Sequence, residues 1–145
     1  MKKQAYTMIA LLVLVGSMAV AAQAQTSGRK QLIANIPFQF NVGNKTLPAG
    51  EYSVREVNPE SGGVLLLRSR DGNASAMIQV ESVISKAPES AKLIFHRYGN
   101  KYFFVQAWID GDNTGMQAPR SKAERAENEL AGLQPKTETV ALRAR

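Results

Sequence analysis

Between residues 32 and 42 the chain alternates: Leu32, Ala34, Ile36, Phe38, Phe40 and Val42 fall on one side, and Ile33, Asn35, Pro37, Gln39 and Asn41 on the other. A period of two is what a strand with one buried face requires, because successive side chains project to opposite sides. Pro37 has no amide hydrogen to give to a ladder, so this strand is expected at an edge or with a bulge. Gly43, Asn44, Pro48 and Gly50 in GNKTLPAGEY supply turn chemistry, and EYSVREV reads as a second strand. After NPESGG, the apolar run VLLL is too short for a helix and is expected as a buried strand. Asp71-Gly72 marks a turn into the extended run ASAMIQVESVI, which ends before Pro88. Such short connections favour antiparallel neighbours.

The segment LIFHRYGNKYFFVQAW holds the single histidine and the single tryptophan of the chain. Gly99-Asn100 suits a two-residue hairpin loop with glycine at the positive backbone angle. That register sets Tyr98 opposite Lys101, Arg97 opposite Tyr102, His96 opposite Phe103, Phe95 opposite Phe104, Ile94 opposite Val105 and Leu93 opposite Gln106. One face then carries Ile94, His96, Tyr98, Phe103, Val105, Ala107 and Ile109. The other carries Leu93, Phe95, Arg97, Tyr102, Phe104, Gln106 and Trp108. Both faces are largely apolar, which leaves two expectations. Either the hairpin is covered on both sides, by a second sheet or a partner subunit, or Phe95, Arg97, Tyr102, Phe104 and Trp108 form a binding face for a sugar or an apolar ligand. Arg97 beside Tyr102 is expected as a cation–π pair.

Beyond the loop DGDNTG, Ser121-Lys122-Ala123-Glu124 fits a capping box that opens a helix at about residues 121–131, ended by Gly132. Its narrow apolar stripe, Ala123, Ala126, Leu130 and Leu133, suits a helix laid against a sheet edge or barrel mouth. Residues 134–145 form either a last strand or a basic tail. The expected fold is mainly all-β, a small antiparallel β-sandwich or partly open β-barrel of about six or seven strands with one short C-terminal helix. One β-rich domain is expected over residues 32–133, after a polar lead at 25–31.

The chain opens with Lys2 and Lys3, an apolar run over residues 8–15, and the small-residue triplet Ala22-Gln23-Ala24. That order predicts a secretory signal peptide over residues 1–24, cut between Ala24 and Gln25. The apolar run falls short of the ~20 residues of a membrane span, so no transmembrane segment is expected after cleavage. A secreted or periplasmic protein follows. Cysteine is absent, which removes disulfides, thiol catalysis, thiolate metal sites and a lipid-modified anchor. The formal charge of +6 becomes +4 without Lys2 and Lys3, as 16 basic residues against 12 acidic ones. These charges are scattered and do not form the concentrated stripe a nucleic-acid binder needs.

Candidate chemistry is sparse. His96 has no serine in a G-x-S-x-G elbow to activate, so an enzyme is not expected; a small hydrolase would need His96 with Asp110 or Asp112 in one pocket. Asp110, Asp112 and Thr114 resemble the opening of a calcium loop, but Ser121 stands at the twelfth position where a bidentate acid belongs. A hydrogen-bonded turn is the expectation there, and no cofactor or metal is expected. IPFQFNVGNKTLPAGEYSV, LIFHRYGNKYFFVQAW, GDNTG and SKAERAENE together resemble a group of uncharacterised small predicted secreted bacterial proteins. These carry an F-x-V-G…LPAG-x-Y segment, an FHRYG-type hairpin and a Lys-Ala-Glu-Arg-type helix. The resemblance covers about residues 32–130 and implies one folded, exported unit without implying an activity. The expected role is non-enzymatic, in binding a glycan, an apolar ligand or an envelope component, or alternatively in assembly or adhesion.

Overall fold

A computed structural model of the chain describes residues 31–57, 63–132 and 134–144. The expected signal peptide and its cleavage point lie outside the described residues. The alternation that begins at Leu32 is kept, but one strand becomes two. β1 (Leu32–Ile36) and β2 (Phe40–Val42) are separated at Pro37 and take different partners. Ile36 and Phe40 are fully buried on either side of this corner, so the inward pattern continues through it. Proline serves here as a corner residue, where no ladder hydrogen bond is required of it.

The remaining strands are β3 (Lys45–Leu47), β4 (Gly50–Val57), β5 (Val64–Ser69), β6 (Ser75–Gln79), β7 (Glu81–Ile84), β8 (Lys92–Tyr98), β9 (Lys101–Trp108), β10 (Thr114–Gln117) and β11 (Lys136–Ala144), with one helix, α1 (Lys122–Ala131). Among the described residues the protein is thus mostly β, with a single short helix towards the C-terminal end. Hydrogen-bonded neighbours run β3-β2-β9-β8-β11-β1-β4-β5-β6, and β10 pairs with both β7 and β9. Because the chain passes from β6 into β7 through Val80, the sheet returns to β9 and nearly closes into a barrel. All pairings are antiparallel except one contact between β2 and β9. Near-closure hides sheet edges that would otherwise be open to pairing. Among the described residues no helix is long and apolar enough to cross a membrane.

Among the described residues eleven strands replace the expected six or seven. Two alternating runs are each broken into a pair, at Pro37 and at Val80, and β3 and β10 lie in segments that read as loops. The C-terminal segment is β11, inserted between β1 and β8 with Val140 and Leu142 buried. The sheet therefore extends past residue 133 to Ala144. The run VLLL is not buried on both sides: Leu65 and Leu67 are inside, whereas Leu66 is half-buried opposite Met77, itself 63% exposed.

The interior is built around aromatic rings. Phe40 meets Tyr52 and Phe95 edge-on at 5.2 and 5.5 Å, and Phe95 meets Phe104 at 5.9 Å. Such edge-to-face contacts add to the apolar area removed from water. Tyr52 is fully buried, yet its hydroxyl donates to the carbonyl of Pro48 at 2.7 Å. That bond explains the LPAGEY segment: its proline-containing turn supplies the acceptor for the buried phenol. Burial, helped by the charge of Asp71, pushes the Tyr52 phenol above its ordinary pKa.

Candidate functional site

The hairpin of β8 and β9 turns at Gly99, whose φ is +62°. Pairing follows the expected register from Tyr98 opposite Lys101 to Phe95 opposite Phe104, then slips by one residue. Ile94 pairs with Gln106, Leu93 with Ala107 and Lys92 with Trp108. A one-residue slip reverses the faces beyond it. Ala107 is thereby turned into the core, and Trp108 joins Ile94 and Lys92 on the outer face. The strand that causes the slip is β10: the amide of Ala118 donates to the Val105 carbonyl at 2.8 Å, while Met116 pairs with Ala107.

The slip takes Trp108 off the expected aromatic face, and burial takes Phe95 and Phe104. Phe95 and Phe104 are 0% and 3% exposed, in the core and out of reach of a ligand. Tyr102 is half-buried with its ring stacked on Phe38 at 3.8 Å. Arg97 does form the cation–π contact, 5.4 Å from the Tyr102 ring centre, and its Nε donates to the Gly99 carbonyl. Trp108 lies on the opposite side, 5% exposed, its Nε1 donating to Gln106 Oε1 at 2.9 Å. The five residues do not share one surface.

His96 is committed to the helix. Its Nδ1 lies 2.7 Å from Glu124 Oε1, and the Tyr98 hydroxyl donates to the same oxygen at 3.3 Å. An ionised carboxylate only accepts, so Nδ1 carries the proton of this bond. Glu124 is 3% exposed, and is the one buried charged residue among the described residues. Burial and then the Glu124 charge push the Tyr98 phenol above its ordinary pKa, against an opposing contribution from Arg120.

Ser121 caps α1 by accepting from the Glu124 amide at 3.1 Å. The Glu124 carboxylate is spent on His96 and Tyr98. Lys101 and Glu127 form a further ion pair between β9 and the helix. Ser121 Oγ is thus held by the cap, and the pair of His96 and Glu124 fastens a helix.

The helix also reverses the expectation for its apolar stripe. Glu124 is buried, and Glu127 and Asn128 are half-buried, whereas Ala123, Ala126 and Leu130 are exposed; Leu133 lies outside the described residues. Leu130 is 82% exposed. Partners on β8 and β9, invisible in the helix sequence itself, decide which face is turned inward.

The DGDNTG segment is a hydrogen-bonded turn. Asp112 Oδ1 accepts from the Thr114 amide at 2.8 Å, and Gly111 N donates to the Pro88 carbonyl at 3.1 Å. Thr114 opens β10 opposite Ile84, and its backbone is used in the sheet. Among the described residues no group of three or more His, Asp or Glu side chains is placed to hold a metal ion.

A mainly apolar concavity was not singled out by sequence. At one end of the barrel Leu32, Val54, Leu65, Ile109, Met116 and Leu142 line a mainly apolar cavity of about 270 Å³. Arg55 and Glu56 are its only charged lining residues, and neither side chain has a hydrogen bond or ion pair among the described residues. Alternation along β4 puts Glu56 on the same side as Val54 and Tyr52, with Arg55 on the other. The signal was distributed over inward positions of separate strands, each reading as ordinary core. Comparison with protein-family models, with curated proteins and with solved structures finds no match.

Proposed function

We propose that this chain is an exported, non-enzymatic binding domain for a small apolar molecule that carries a hydrogen-bond donor. The observation that carries the reading is the apolar cavity with the Glu56 carboxylate in its lining, unpaired among the described residues. Ligand sites are typically apolar concavities with a few polar groups that fix orientation. An apolar protein cavity of ~150 Å³ takes benzene. By that scale about 270 Å³ suits a body nearly twice as large, with an alcohol or amine directed at Glu56. Stacking on a sugar is less favoured, because Phe95, Phe104 and Trp108 are all buried. Export is supported by the three-zone N-terminus of the sequence.

The single tryptophan, Trp108, follows the cavity-lining Ala107 with its ring on the outer face, so its emission reads occupancy indirectly, through displacement of β9. Medium-chain alcohols and amines are expected to shift that emission saturably and to raise the unfolding temperature. Ala107→Leu, which places atoms in the cavity, is expected to abolish both responses while the variant still unfolds cooperatively. Glu56→Gln is expected to weaken amines more than alkanols of equal length. If emission and unfolding temperature ignore every apolar ligand, or Ala107→Leu responds like the parent protein, the proposal fails.

A further inference from the structure

The outer side of the same sheet carries a polar feature built from the alternate positions. Arg143 of β11 pairs with Ile33 of β1, Ile33 with Ser53 of β4, and Ser53 with Arg68 of β5. One cross-strand row therefore runs from guanidinium to guanidinium. At ~4.8 Å per strand its two arginine Cα atoms are roughly 14 Å apart, within joint reach of two long side chains. The row lines an open groove of about 610 Å³, which Arg70 enters from the turn after β5. Leu32 and Leu142 face the apolar cavity while Ile33 and Arg143 face the groove, so the two sites share strands without sharing these side chains.

The charges in this groove are arranged. Glu51 holds Arg143 Nη2 at 3.2 Å on one oxygen and Arg70 Nη1 at 3.7 Å on the other, gathering two guanidiniums at one place. Asp71 is occupied by its own turn, accepting from Ser69 Oγ at 2.6 Å and from the Asn73 amide at 3.0 Å. The Arg68 side chain has no hydrogen bond or ion pair among the described residues. A Cβ at position 72 would stand 3.1 Å from Arg68 Nη2, so Gly72 leaves the guanidinium its room. Three guanidiniums thus face two carboxylates, one of which is already spent on a turn.

We propose that this groove binds a multiply charged oxyanion of the phosphate class, with Arg68 as first contact and Arg70 and Arg143 completing the site. The planar fork of a guanidinium matches two phosphate oxygens. Glu51 already offers Arg70 and Arg143 a single negative charge. A ligand that draws them away must carry more charge than a monocarboxylate, which selects a phosphate monoester or a cluster of phosphodiesters. Attraction of this kind weakens as salt rises.

The test titrates inorganic phosphate, then pyrophosphate, into the isotopically labelled protein at constant ionic strength. Amide shifts at Ser53, Ser69, Gly72 and Arg143 are expected to move together and saturate. Arg68→Gln is expected to weaken that saturation about tenfold, the worth of one charge-assisted hydrogen bond. Arg125→Gln, on the exposed side of α1, serves as the charge-matched control and leaves the affinity unchanged. Binding of phosphatidylglycerol vesicles through the same arginines, with phosphatidylcholine vesicles left free, identifies a lipid headgroup as the source. Saturation by free phosphate without vesicle binding identifies a soluble ester. Shifts that never saturate, or that persist in folded Arg68→Gln and Arg143→Gln variants, overturn the site.

Discussion

The two faces of the β8–β9 hairpin are held by different physics. On the inner face Phe95 and Phe104 meet other rings edge-on in a core from which water is excluded. On the outer face His96 and Tyr98 converge on one buried carboxylate from α1. Apolar contact is nondirectional and scales with area, so the inner face depends on volume. A buried carboxylate must keep its hydrogen-bond partners, so the outer face depends on chemical identity and geometry. One hairpin is therefore sensitive to lost volume on one side and to lost partners on the other.

The largest effect is expected at Phe95, where truncation to alanine leaves a cavity among Phe38, Phe40 and Phe104. Phe95→Ala is expected to lower stability by about 3–5 kcal/mol in urea unfolding, and Phe95→Leu by clearly less. Equal losses for both variants would deny that volume governs this face. On the outer face a double-mutant cycle of His96→Ala and Glu124→Ala is expected to give a coupling of about 1–3 kcal/mol. Strict additivity would mean that the 2.7 Å contact contributes nothing to docking the helix.

Gly115→Ala tests the far end of the outer face, because a Cβ there would lie 2.7 Å from the Trp108 ring. A loss of about 1–3 kcal/mol is expected, with red-shifted tryptophan emission as the ring is displaced. Unchanged emission would show that the neighbouring β10 backbone gives way in place of the ring. The smallest effect is a pH dependence at the alkaline end. Tyr52 and Tyr98 both have phenols raised above their ordinary value by burial, so the folded protein holds these protons more tightly than the unfolded chain.

Their contribution is present below the unfolded value of about 10 and is lost as pH rises through the higher folded values. Urea midpoints measured from neutral to strongly alkaline pH are expected to fall above about pH 10, with a shallower fall in Tyr52→Phe and Tyr98→Phe. A slope unaffected by either substitution would place the alkaline loss elsewhere.

Much of the local structure could be read from the chain. The alternation from Leu32, the tight turn at Gly99-Asn100 and the Ser121 cap each depend on neighbours in sequence, and each is present. The bulge at Val105 was not legible, since it depends on a hydrogen bond from Ala118 and on β10, which read as a loop. Nor was the docking face of α1, because an apolar stripe implies an apolar partner and the helix instead met His96 and Tyr98. The apolar cavity escaped notice because its lining comes from separate strands.

Periodicity, turn residues and caps by themselves determined a cysteine-free, mainly β domain with one short C-terminal helix, since those signals act within a few residues. Only the tertiary structure decided which face of each element is used. That choice rests on contacts between distant segments: β11 beside β1, β10 beside β9, and Glu124 beside His96. A one-residue slip or a rotated helix exchanges inside for outside without altering any local preference.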